Sequence, residues 1–194
     1  MRLDQPMTST VVLWAIAAVL VFWAVGAYNR LVRLRAEVKA AFALLDAELA
    51  RHVELVRNQL PQTDTQAGAL EGGPSIWAGL HGAAEQFSAS LSAARSRPLD
   101  PDGIAALSAA RDVLEMAWER AERSDAHDLA GPRLPETILA RRTQILAQAH
   151  AAADQFDRAV ARYNAAIGQF PAVLLASLFG FRASRSLGKP GTGI

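Results

Sequence analysis

From Gln5 to Asn29 the chain carries no charged residue, and Val11 to Tyr28 reads VVLWAIAAVLVFWAVGAY. After Tyr28 the pattern becomes periodic. Leu31, Leu34, Val38, Phe42, Leu45, Leu49, His52, Val56 and Leu60 step by three or four residues, with neither Gly nor Pro before Pro61. That spacing predicts one apolar stripe along a helix of ~50 Å, continuous with the apolar run before it. Pro61 and the glycine-containing stretch from Gln62 to Pro74 predict a loop.

A second helix is expected from near Ser75, striped by Trp77, Leu80, Ala84, Phe87, Leu91 and Ala94 and ended by Arg97 and Pro98. Asp100, Pro101 and Asp102 form a helix start: a capping carboxylate, proline in the first turn, and a second acid near the positive helix end. The third helix carries Ile104, Leu107, Ala110, Leu114, Trp118 and Ala121 and gives way to a loop from Ser124 to Pro135. Pro135 and Glu136 open the fourth, striped by Ile138, Ile145, Ala149, Ala152, Phe156, Val160, Tyr163, Ile167 and Phe170 and broken at Pro171. Trp77 and Trp118 fall on stripes and read as core anchors.

The first and fourth helices are ~50 Å long and the two between them ~33–36 Å. Short connections favour antiparallel neighbours. The expected fold is therefore all-α: an N-terminal transmembrane helix continuing into an antiparallel up-down four-helix bundle with long first and last helices. The divisions are a short tail over 1–10, a membrane helix over 11–28, the bundle over 29–171, and an apolar interfacial segment with a flexible basic tail over 172–194.

Crossing a ~30 Å hydrocarbon core takes ~20 helical residues, a length that Val11 to Tyr28 just meets. Its Val, Leu, Ile and Phe residues favour insertion by roughly 3–5 kcal/mol. Trp14, Phe22, Trp23 and Tyr28 supply its large aromatic lipid contacts. A secretory signal is the competing reading, because Val25, Gly26 and Ala27 suit cleavage before Tyr28. Against it stand the length of the run and an N-terminal flank in which Asp4 opposes Arg2. Arg30, Arg33, Arg35 and Lys39 follow the run, opposed only by Glu37. Positive-inside then predicts a single-pass protein of the inner membrane, its N-terminus outside and its bundle cytoplasmic. The same cations would attract anionic lipid. A second, interfacial contact is expected at 170–182, through Leu174, Leu178 and Phe179, followed by Arg182, Arg185 and Lys189. The competing expectation is that this segment folds back to cap the core.

Composition narrows the chemistry. Apolar types make up 51% of the chain, which rules out bulk disorder, and the abundance of Ala, Leu, Glu and Arg favours helix over sheet. Twenty basic residues against nineteen acidic ones leave +1, too little for a general attraction to nucleic acid. Without cysteine there are no disulfides and no thiolate chemistry. Gly72, Gly73 and Pro74 lack the lysine and preceding strand of a phosphate loop, and no serine elbow occurs. His81 and His127 stand apart near helix ends or loops, where solvent is expected. One set invites a metal: Glu48 with His52, and His150 with Asp154, each four residues apart and so on one helix face. They would share a level if the outer helices pair antiparallel and end-aligned. The ordinary alternative is polar residues flanking the stripes.

Read together, the first and last helices resemble the LemA family of bacterial membrane proteins. That family's Tyr-Asn-x-Leu-Val is matched by Tyr28, Asn29, Leu31 and Val32. Its next block falls on Leu45 to Leu60, where Asp46, Leu49, Arg51, Leu55 and Asn58 agree, while Glu48, His52, Glu54 and Arg57 depart. Val160 to Asn164, then Ile167, Phe170, Pro171, Ala176, Gly180 and Phe181, look like its closing block. The resemblance covers roughly 25–60 and 155–182; the middle differs, and the family's Tyr-Pro-Asp-Leu-Lys stretch is missing. It implies an N-terminal anchor and a helical bundle, and no enzymatic reaction. Asp46, Asn58, Tyr163 and Asn164 are its polar matches, readable equally as interhelical hydrogen bonds.

The expected function is thus a membrane-anchored structural or interaction module without catalysis or cofactor. Its partners would be the lipid bilayer, an unidentified membrane or cytoplasmic protein, or a second copy of the chain, and not nucleic acid. The alternatives are a small-molecule or metal-sensing bundle and a signal-cleaved periplasmic bundle.

Overall fold

The computed structural model describes residues 5–60, 76–127, 135–170 and 172–188, with side chains from 10 and, in the second and third segments, over 77–123 and 135–170. The expected loop over 62–74, residues 128–134 of the loop expected from Ser124 to Pro135, Pro171, and the tail beyond Gly188 lie outside the described residues. Among the described residues all regular structure is helical: α1 Gln5–Gln59, α2 Ile76–Ser96, α3 Pro101–His127, α4 Glu136–Gly168 and α5 Ala172–Phe179.

α1 is one unbroken helix with two surfaces. Through the apolar run its large side chains are exposed on every side, Val11, Trp14, Val19 and Phe22 among them. The segment is long and apolar enough to cross a membrane, and none of it is buried. From Leu31 onward a single stripe is buried: Leu31, Leu34, Val38, Phe42, Leu45, Leu49, His52, Val53, Val56 and Leu60. The change falls where the sequence shifts from uniform to 3-4 spaced apolar residues, as amphipathicity requires.

α4 lies along α1, and the two run antiparallel, since Trp23 meets Phe170, Glu37 meets Arg162 and Phe42 meets Phe156. The Phe42 and Phe156 rings meet edge to face at 5.7 Å. α2 also packs on α1, tied by Asp46 to Arg95 and by Glu85 to Arg57. α3 packs on α2. Its start follows the capping rule: the Asp100 carboxylate accepts the Gly103 N–H at 3.1 Å, satisfying one of the helix's free donors. α3 and α4 do not approach each other closely along their backbones; Arg142 and the C-terminal segment span between them.

Several boundaries differ from those expected. α3 continues to His127 rather than ending near Ser124. Phe170 is not a core position; it is exposed against Trp23, beyond the end of α4. Trp77 is half-buried at the margin of the core, whereas Trp118 is wholly buried. His81 is half-buried rather than solvent-facing.

The tail differs most. α5 closes with Gly180 at φ 69° and a Phe181 N–H bonded to the Ala176 carbonyl at 2.9 Å, the left-handed glycine ending of many helices. Residues 181–188 then run extended along the helical body, with Ser184 and Leu187 buried. The expected flexible basic tail is therefore corrected as far as Gly188: side chains of α3 and α4 hold it through its backbone.

Candidate functional site

Two places on the molecule gather chemistry. The first is where α1 leaves its apolar run. There Tyr28 lies 5.0 Å from the Phe179 ring and 6.2 Å from that of Phe181, and Trp23 lies 6.2 Å from Phe170. The Arg35 guanidinium sits 5.8 Å over the Phe181 ring, within reach of a cation–π attraction. Arg33 approaches Glu37 at 3.8 Å, one turn along the same helix. Arg30 borders a cleft of about 330 Å³ whose walls include Trp23, Gly26, Phe170 and Ala172.

α5 is the second wall of this end, and its two faces differ. Ala176 is buried, and Ala172 and Phe181 pack against the core. Leu174, Leu178 and Phe179 remain 63%, 76% and 55% exposed. The segment thus caps the helical body with small residues while its large ones face outward, level with the end of the apolar run of α1. Such outward apolar residues beside a basic flank are the composition of an interfacial helix.

The second place is a polar cluster inside the body. His52, on the α1 stripe, stacks on Trp118 of α3 at 6.2 Å with 19° between planes. Arg142 of α4 lies 4.9 Å over the same indole. Its guanidinium also bonds Glu115 at 2.5 Å and Glu122 at 3.0 Å, joining α4 to α3. Burial, with Arg142 nearby, holds the His52 imidazole down at about 4, so it is neutral at pH 7. Burial likewise pushes the Glu115 carboxyl above its ordinary range, against the pull of Arg142.

His52 Nε2, Trp118 Nε1 and Arg142 Nε are buried side-chain atoms without a hydrogen-bond partner. Buried polar groups are normally satisfied, so three unpartnered atoms in one neighbourhood set this cluster apart from the rest of the core. Beside them a cavity of about 20 Å³ is bordered by His52, Arg111, Glu115, His150 and Leu187. Its volume is that of roughly one water molecule.

The candidate metal set is not assembled among the described residues. Glu48 is engaged by Arg51, at 2.7 and 2.8 Å, and Asp154 faces solvent. His52 and His150 both border the small cavity, but no group of three or more His, Asp or Glu is placed to hold an ion among the described residues. Four-residue spacing puts each pair near one helix face, but Glu48 is held along its own helix by Arg51 and Asp154 points to solvent. Glu115 and Arg142 carried no spacing signal, because they meet only across two helices.

The polar residues singled out by the family resemblance have separate fates. Asp46 accepts two bonds from Arg95 Nε and one from Nη2, tying α1 to α2. Asn58 is exposed, and Tyr163 is a core residue. Asn164 does not bond another helix; it holds the backbone of Ser184. No family model, curated protein or solved structure matches the chain.

Proposed function

We propose that this chain is a membrane-anchored interaction module, an up-down four-helix bundle held at the bacterial inner membrane by the apolar half of α1. One observation carries the reading. A helix exposed and apolar on all sides passes without a break into a buried core stripe, and the exposed apolar face of α5 lies at the same level. A solvated helix with that surface would be strongly disfavoured; a bilayer satisfies it. The antiparallel contacts of α1 with α4 and with α2 agree with the up-down bundle. The resemblance of the first and last helices to the LemA family supports the same anchor-and-bundle plan. Catalysis is not part of the proposal.

Retention of the anchor is favoured by its packing. Gly26 and Ala27 border the cleft against α4 and α5, so cleavage after Ala27 would cut α1 within its contacts. The basic flank favours a cytoplasmic bundle. A reporter fused after Ile194 is accordingly expected to be active in its cytoplasmic form and silent in its periplasmic form. The opposite pattern overturns both the orientation and the compartment.

The interfacial role of α5 has its own test, made simple by the lack of native cysteine. In vesicles of mixed anionic and neutral lipid, a water-soluble maleimide is expected to label Arg185→Cys about tenfold faster than Leu178→Cys, because α5 lies in the headgroup region. Both positions are exposed on the protein itself. Equal labelling rates would place α5 in water and remove it from the membrane contact.

A further inference from the structure

The seam between α3 and α4 is closed by the extended segment 181–188, and the helices grip it mainly by its main chain. Asn164 donates to the Ser184 carbonyl at 2.7 Å and accepts the Ser184 N–H at 3.0 Å. The Asp157 carboxylate accepts the N–H groups of Leu187 and Gly188, at 2.7 and 3.2 Å. From the opposite side the Ser108 hydroxyl donates to the Leu187 carbonyl at 3.1 Å, and Arg111 donates to the Gly188 carbonyl at 3.0 Å. Side chains from two helices therefore read both the donors and the acceptors of one strand.

The strand's own side chains contribute little by comparison. Ser184 and Leu187 enter the body, whereas Arg182, Ala183, Arg185 and Ser186 face solvent. Gly188 has a φ of 72°, a conformation that residues with a Cβ rarely adopt. The seam thus selects a small residue, any two residues, leucine and glycine. Main-chain hydrogen bonds supply attraction and spaced pockets supply selectivity, as in other modes of extended-peptide recognition. Nothing in these contacts depends on the strand being joined to α5.

We propose that the seam is a recognition groove for an extended peptide segment of the pattern small-x-x-Leu-Gly, with residues 181–188 as its resident occupant. A partner bearing such a segment docks by displacing the tail. This deepens the interaction reading by giving the partner a chemistry, and it rests on no particular membrane topology. The resident has the advantage of tethering: its connection through Gly180 keeps its effective concentration high, so a separate peptide must compete against it.

The test uses the full chain in detergent micelles and a fluorescein-labelled peptide of residues 180–188. Leu187→Asp in the chain drives the resident tail out, since it removes the buried leucine contact and sets a second carboxylate beside that of Asp157, which holds the strand's amides. The labelled peptide should then bind saturably and at least ~10-fold tighter than to the unaltered chain. Adding Asn164→Leu to the Leu187→Asp chain should weaken that binding by a similar factor. Equal affinity for the first two chains overturns the proposal. So does an absence of saturable binding to a Leu187→Asp chain whose helical circular dichroism is intact.

Hydrogen exchange on the unaltered chain provides a second measurement, independent of how any variant folds. A large excess of unlabelled peptide should speed exchange at the Ser184, Leu187 and Gly188 amides and leave the core amides of α3 and α4 protected. A control peptide carrying Leu187→Asp should leave exchange unchanged at both sets of amides. Unchanged exchange over 181–188 would overturn displacement, and so would loosening of all helices together. Topology reporters are unaffected by either result, so failure of the groove is separable from failure of the anchor.

Discussion

Trp118→Ala is expected to lower the unfolding free energy by about 3–5 kcal/mol, the range for removing a fully buried large aromatic. Trp118 is completely buried and touches three elements of the problem at once: the α3 core, the His52 ring and the Arg142 guanidinium. Removing the indole opens a void beneath two polar side chains that rest on it. With the indole gone, the Arg142 guanidinium and the His52 ring both lose their stacking surface, and the buried His52 ring cannot reach water without opening the body. For a chain of this size the loss corresponds to a fall in Tm of about 6–20 °C. Denaturant titration of the two forms in the same detergent checks it. A change below about 1 kcal/mol would mean that the cluster collapses around the gap. Trp118→Phe keeps an aromatic surface and is expected to cost less than the alanine change.

The second large effect is expected on acidification. His52 titrates near 4 in the folded chain and near 6.5 when unfolded. Above pH 6.5 both states hold a neutral ring and the residue makes no contribution to pH dependence. Between 6.5 and 4 the unfolded chain takes up a proton that the folded chain refuses, so stability falls as pH falls. Below 4 the loss is complete, at about 3 kcal/mol. Glu115 acts in the opposite sense, because its raised folded value makes the folded chain the better proton acceptor as pH drops. The measured curve sums both, together with the other carboxylates. His52→Phe isolates the histidine: the variant should be less sensitive to acid, with the difference from the unaltered chain growing to about 2–3 kcal/mol by pH 4.5. At pH 7 the same change should be near neutral or stabilising, since it removes a buried nitrogen that lacks a partner. Parallel stability curves from pH 7 to 4.5 would contradict the assignment.

The helices were legible because their cores repeat with the helical period. Ile104, Leu107, Ala110, Leu114, Trp118 and Ala121 all lie on the expected stripe and are all buried. Asp100 was legible for a local reason: its carboxylate serves amides a few residues along the same chain. His52 could be placed on the buried stripe by spacing, but its neighbours could not. Trp118 and Arg142 reach it from two other helices, and register between helices is not written in the spacing of any one of them. Phe181 to Gly188 was the least legible stretch. It has no helical period, two arginines and small polar residues, which together resemble a solvated tail. What fixes it is main-chain hydrogen bonding, and every sequence carries the same main-chain groups. Gly180 did offer a signal, a glycine just past a short apolar run, which marks a helix end before a change of direction.

The unbroken course of α1 has a mechanical consequence. A helix joining a bilayer to a protein through a flexible linker leaves each free to move; this one has no glycine or proline from Ala27 to Leu60. From Tyr28 to Gln59 it extends about 47 Å beyond the apolar run. Helices in bilayers tilt to match hydrocarbon thickness, and the apolar run here only just spans one. Each ~10° of tilt would swing the far end sideways by about 8 Å. Under the proposed anchoring the chain would act as a lever, with its fulcrum at the headgroups and the bundle as its load arm. Bilayer thickness would thereby set the position of the surface that α2 and α3 present.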